Sequence, residues 1–118
     1  MKWVLFLDDN EDRIEVAKRH FGKIGQSHLL IARTASQAID FLAKATFDLV
    51  HLDHDLGGEV FVDSDREDCG MEVVRWMVEN RPNVKEVVVH SWNIPAAGKM
   101  FAKLSQAGYA VKSEPFSV

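Results

Sequence analysis

Short, unbroken apolar runs alternate with helix-period segments along the whole chain, and that order leaves few architectures open. "WVLFL" (Trp3–Leu7), "HLLIA" (His28–Ala32), "DLVHLD" (Asp48–Asp53), "EVVVHS" (Glu86–Ser91) and "YAVKS" (Tyr109–Ser113) read as strands. The first is apolar at every position, which suits a strand covered on both faces. Asn10 or Asp12 can cap a helix with Ile14, Ala17, Phe21 and Ile24 on one side, ending around Gly22 and Gly25. Thr34 caps a second helix facing Ala38, Ile39 and Leu42 inward. Gly70 to Asn80 forms a third, stopped before Pro82. Asn93 caps a fourth, with Ala97, Phe101 and Leu104 on one stripe and Gly108 at its stop. Strict alternation of this kind implies βαβ units with right-handed crossovers on a parallel sheet. The expectation is one α/β domain over residues 1–118, three layers deep (α/β/α), built on a five-stranded parallel sheet.

One segment breaks the rhythm. The stretch at about 56–69 holds Glu59, Asp63, Asp65, Glu67 and Asp68. It is too polar for a core element and longer than an ordinary connection. It reads either as a solvated excursion or as a lid or partner-selecting loop. The charge balance is 14 basic against 18 acidic residues, net −4. That excludes an extended basic face for nucleic acid and leaves contact with a nucleic-acid end open. The single cysteine, Cys69 in "DREDCG", allows no intrachain disulfide and reads as structural or incidental. No apolar run approaches the roughly 20 residues that cross a bilayer, so no membrane partner is expected, and the expected location is the cytoplasm.

In open parallel α/β sheets ligands bind beyond the carboxyl ends of the strands. The first strand delivers Asp8 and Asp9 there, the third Asp53, His54 and Asp55, and the fourth His90, Ser91 and Asn93. Three carboxylates on one rim repel one another and raise at least one pKa unless a counter-charge joins them. A hard divalent cation resolves this with a few carboxylate oxygens and leaves positions open for phosphate. Asp8, Asp9 and Asp53 are therefore read as a site for Mg²⁺ or Mn²⁺. In the competing reading, Asp8 or Asp9 only caps the first helix.

These tips, "FLDD", "LDHD" and "HSWN", resemble the receiver (CheY-like) domains of two-component response regulators. The resemblance implies the strand order 2-1-3-4-5, an acidic pair at Asp8 and Asp9, a phosphoacceptor at Asp53 and the hydroxyl position at Ser91. It also implies a partner kinase if the chain is a phosphorelay receiver. Two departures stand out. Glu114, not Lys, precedes Pro115, the nearest lysine being Lys112, and the sequence stops at Val118, where the family's fifth helix would begin. The histidines, together with "LDD", Arg13, "LDHDLG", "GMEVVRWM", "HSWN" and the closing "PF", resemble a divergent group, the cyclic-phosphate processing receiver domains, inferred to act in RNA repair.

That resemblance points to a substrate with a phosphate ester, either a small molecule or a nucleic-acid end. Imidazoles suit general acid and base work near neutral pH, so His54 and His90 are candidate catalytic groups beside Asp53. Ser91 and Asn93, at a helix N-terminus, and Arg13, one turn past the acidic pair, are candidate phosphate ligands. His51 reads as a core or sheet-face histidine, and Trp92, on the rim, as a surface on which a base can stack. Three functions stay open: a Mg²⁺-dependent phosphodiesterase or phosphohydrolase, a phosphorelay receiver, and a non-catalytic receiver-like binding module.

Overall fold

The computed structural model describes residues 2–22 and 27–116. The elements run β1 (Lys2–Leu7), α1 (Glu11–Gly22), β2 (Ser27–Ala32), α2 (Ala35–Lys44), β3 (Phe47–Leu52), α3 (Gly70–Asn80), β4 (Val84–Val89), α4 (Ile94–Gln106) and β5 (Val111–Ser113). All neighbouring strands pair in parallel in the order β2-β1-β3-β4-β5. The expected fold and strand order are therefore observed, and four helices are present among the described residues. Ile24 and Gly25, expected at the end of the first helix, lie outside the described residues.

Side-chain alternation divides the core. Leu5, Leu7, Val50, Leu52, Val87 and Val89 face α2, α3 and α4, where Ala38, Leu42, Val74, Met77, Met100 and Leu104 complete the larger cluster. The opposite face is thinner, with Phe6, Ile14 and Ala17 packed beside Phe21, Leu29, Ile31 and Phe116. His51 lies on this face as expected, buried among the rings of Phe6, Phe21, His90 and Phe116.

Every strand differs from the sequence reading by one or two residues at a boundary, and the shift is largest in β4 and β5. β4 begins at Val84, which pairs with Phe47, and ends at Val89 rather than Ser91. β5 begins at Val111 rather than Tyr109. Beyond Val89 the chain bends into the helix α4. Its cap Asn93 accepts from Ala96 N–H through its side chain, and Pro95 sits in the first turn, where a missing N–H costs nothing.

Register carries the functional consequence. Leu7, Leu52, Val89 and Ser113 stand in one row across four strands. Each following residue extends the ladder by one bond. Asp53 N–H donates to Leu7 C=O, His90 N–H to Leu52 C=O and Glu114 N–H to Val89 C=O, while Asp8 N–H donates to Ala32 C=O on the other side. Asp8, Asp53, His90 and Glu114 thus form the next row, although the first and last are more than 100 positions apart in sequence.

Candidate functional site

The floor of the site is an ion cluster at this row. Asp8 is fully buried and accepts four hydrogen bonds. Arg13, in the first turn of α1, grips it with both arms, Nε at 2.7 Å from Oδ2 and Nη2 at 3.0 Å from Oδ1. Asn10 N–H donates to Oδ1 at 2.9 Å, and His90 Nε2 lies 2.9 Å from Oδ2. Burial pushes the Asp8 pKa up, but the bonds from His90, Arg13 and Asn10 outweigh it and hold the carboxyl at about 2. An ionised carboxylate only accepts, so His90 Nε2 carries the proton. The imidazole is buried and stacked on Phe6, with ring centroids 4.9 Å apart. Burial holds its pKa below the usual value, so it is neutral, and its Nδ1 has no partner.

Asp53 behaves in the opposite way. Its Oδ1 accepts from His54 N–H at 2.9 Å, and its buried Oδ2 has no hydrogen bond at all. The nearest cation, Arg13 Nη2, is 3.6 Å away. Burial first, then the negative charge of Asp8, raises its pKa from 3.8 to about 8, and Arg13 offsets this only in part. Two carboxylates in one pocket are split by environment, one held ionised and one pushed toward the acid form.

The wall of the site is organised by Asp55. Its Oδ1 accepts from His54 Nδ1 at 2.7 Å, Val62 N–H at 3.0 Å and Asn93 Nδ2 at 3.1 Å, and its Oδ2 from Phe61 N–H at 2.7 Å. Burial raises the Asp55 pKa, and the bonds from His54, Asn93, Phe61 and Val62 bring it below the usual carboxylate value. His54 is fully buried. With Nδ1 donating to Asp55, Nε2 is free to accept from Ser64 Oγ at 3.0 Å. The acidic segment is therefore anchored to the domain. Arg75 donates to the carbonyls of Ser64 and Arg66, and Cys69 is buried with its thiol against the Arg66 carbonyl.

Between floor and wall lies a cleft of about 280 Å³ lined by Asp9, Arg13, Asp53, Asp55, Ser91 and Trp92, with Gly58 to Val60 along the loop side. Asp9 is half-buried and accepts from Gly58 N–H across the cleft. That bond needs the turn at Gly57 and Gly58, both at positive φ (75° and 78°). Ser91 Oγ accepts from Asn93 N–H at 3.0 Å, which leaves its own proton to donate. The N-terminus of α3 closes the back, with Gly70 N–H on the His54 carbonyl at 2.9 Å. A Cβ at Gly70 would lie 1.9 Å from the Asp53 carbonyl oxygen, so the close approach requires glycine.

Set against the sequence reading, the structure gathers Asp8, Asp9, Asp53, Arg13 and Ser91 at one place. It does not bring His54 there, because both ring nitrogens are turned into the wall. His90 lies beneath the site, hydrogen-bonded to Asp8 and with a ring nitrogen within 4.8 Å of a carboxylate oxygen of Asp53. Arg13 spends its fork on Asp8 rather than leaving it free for phosphate, and so supplies an internal counter-charge that the sequence reading assigned to a metal alone. Asn93 caps α4 and braces Asp55. The residue the sequence reading left without a role is Asp55, whose only signal was its place two residues past Asp53 in "LDHD".

Asp8, Asp53 and His90 each offer a ligand atom within 4.8 Å of one another, a spacing that could hold a metal ion. The fit is best at Asp53, whose orphaned Oδ2 is a hard oxygen without a donor. Asp8 is already saturated by its donors. Among the described residues, no helix is long and apolar enough to cross a membrane.

Comparisons with known proteins agree with this geometry. A family model described as cyclic-phosphate processing receiver domain matches residues 3–106. No curated protein sequence is significantly similar. Solved structures share the fold at low identity. The non-phosphorylated HemR receiver domain from Leptospira biflexa is 18% identical, with a TM-score of 0.70 over 100% of this chain and 84% of that one. The response regulator TrrA from Thermotoga maritima, solved in complex with Mg²⁺ and BeF, is 19% identical, with a TM-score of 0.68 over 99% and 90%. A response regulator from Burkholderia pseudomallei, solved with a phosphorylated aspartic acid, a calcium ion and citrate, is 17% identical, with a TM-score of 0.69 over 100% and 62%.

Proposed function

The chain belongs to the cyclic-phosphate processing receiver domain family, and from that premise we propose that its carboxylate cleft opens or hydrolyses phosphate esters, cyclic or terminal, including those at RNA ends in repair. The observation that carries the reading is the unpartnered Asp53 Oδ2, buried at the floor of an open cleft beside a guanidinium. Such an oxygen is costly to bury unless an ion or a proton completes it.

Asp53 would hold Mg²⁺ or Mn²⁺ with Asp8 beside it, and Asp9 lines the same cleft. When bound, the ion neutralises charge on the non-bridging phosphate oxygens. The chain's own groups do the rest. Arg13 neutralises the buried Asp8 charge, so that the floor repels an anion less. Ser91 O–H donates to a phosphate oxygen from the mouth of α4. His90 is a positioning residue that orients Asp8, and His54 positions Asp55 and through it the wall. Asp53 is the group at the reacting centre.

The second reading is a phosphorelay receiver, with Asp53 phosphorylated by a partner kinase. The observation favouring it is that Asp53 and Ser91 end neighbouring strands as in receivers, and one solved neighbour carries a phosphorylated aspartate. Against it, Glu114 occupies the tip of β5 and adds negative charge where receivers place an ammonium. One experiment separates the two. The protein is incubated with 2′,3′-cyclic nucleotides and, separately, with acetyl phosphate, each with Mg²⁺ or EDTA, as wild type and as Asp53→Asn. Metal-dependent release of a linear monophosphate, lost in D53N, supports the ester reading. A persistent acyl-phosphate on Asp53 without turnover supports the relay. Turnover unchanged in D53N rejects the ester reading.

A further inference from the structure

At the junction of β4 and α4, His90, Ser91 and Asn93 are all under 10% exposed, yet Trp92 between them is 59% exposed. It lines the cleft, and Val60, 78% exposed, lines it as well. The loop tip that carries Val60 is not slack. Asp55 accepts from the N–H groups of both Phe61 and Val62, and Phe61 is held at φ 52°, a conformation that non-glycine residues rarely adopt. The chain therefore holds strained backbone and exposes large apolar side chains at the mouth of a charged cleft.

Neither feature serves a small inorganic phosphate. Together they suit a ligand with an anionic end and a flat apolar end, one held at the Arg13, Asp53 and Ser91 floor and the other at the rim. A cleft of about 280 Å³ has room for a terminal nucleotide rather than an extended strand. The net charge of −4 agrees, since the grip is local and not a basic track. We propose that Trp92, with Val60 on the loop side, forms a nucleobase platform, so that the substrate is a nucleotide recognised by stacking of its base and not by its phosphate alone. The proposal rests on the phosphate-ester reading for the place of the phosphate.

Calorimetric binding of AMP and of ribose 5-phosphate, both with Mg²⁺, tests it without requiring turnover. Wild type, Trp92→Ala and Trp92→Phe are compared. Wild type should bind AMP at least about fivefold more tightly than ribose 5-phosphate, the low end of what base stacking on an aromatic side chain contributes. W92A should lose that preference while keeping its affinity for ribose 5-phosphate, and W92F should keep both. Equal affinity for the two ligands in wild type overturns the platform, as does a preference that survives in W92A. A rim that serves a protein partner instead would give that equal-affinity result. If the base preference holds but no cyclic ester is turned over, the platform stands and the ester reading falls. If esters are turned over with no base preference, the reverse follows.

Discussion

Asp53→Asn removes one ionisable oxygen and almost no volume, so its effect on stability reads the electrostatics of the cleft floor directly. The amide oxygen of the substituted side chain can still accept from His54 N–H, the bond that Asp53 Oδ1 makes now. In wild type the Asp53 carboxyl titrates at about 8 against 3.8 when free. The sign follows from linkage. A carboxyl that binds its proton more tightly when folded gives its full stability below 3.8 and loses it as pH rises through 8. About four pH units at ~1.4 kcal/mol each set a ceiling of about 6 kcal/mol of penalty, approached near pH 8. Water entering the cleft lowers the effective cost, since permittivities near 20 describe such sites better than 4. The expected gain for D53N is then about half the ceiling, 2–3 kcal/mol at pH 8, falling to under about 1 kcal/mol at pH 5.

The measurement is urea unfolding of both proteins in EDTA at pH 5, 6, 7 and 8, comparing the difference between them rather than either curve. The difference matters because His51 and His90, held neutral by burial, tilt the wild-type profile the other way. Groups with depressed imidazole pKa values stabilise fully above about 6.5 and lose that as pH falls. Both histidines are present in D53N, so their contribution cancels. A difference that stays flat or shrinks from pH 5 to pH 8 would refute a buried, uncompensated Asp53.

Arg13→Met should cost about 3 kcal/mol in metal-free buffer, because it leaves the buried Asp8 without its bidentate partner. Added Mg²⁺ should raise the Tm of that variant by more than it raises that of wild type, the ion replacing the lost charge. Gly70→Ala places a methyl 1.9 Å from the Asp53 carbonyl and should destabilise by about 3 kcal/mol, read as a shifted urea midpoint at unchanged slope. His51→Phe removes a buried nitrogen with no partner from an aromatic box. It should stabilise by about 1 kcal/mol at pH 5 and by less at pH 8, because the His51 pKa of about 3 places the penalty on the acid side. A gain that grows with pH would contradict that placement.

Much of this site was legible before any coordinate. Alternating apolar and amphipathic segments imply parallel strands, and parallel strands put Asp8, Asp9 and Asp53 on one rim. His54 shows where such reasoning stops. It follows Asp53 directly, and a strand-end histidine beside a carboxylate invites a catalytic role. After the last ladder residue, though, the side chain's direction is no longer set by strand alternation. It is set by what stands nearby, here Asp55 and a serine ten residues on in the loop. Arg13 reads from the sequence as a phosphate ligand one turn past the acidic pair, but in the fold its guanidinium grips the buried Asp8 carboxylate.

By itself the sequence determined the architecture and the chemical kind of the site, because hydrophobic period and strand-end carboxylates are local properties that survive without coordinates. The tertiary structure alone decided which carboxylate is neutralised and which is left wanting. That outcome depends on burial and on distances between groups brought together from separate strands, and no local pattern encodes it.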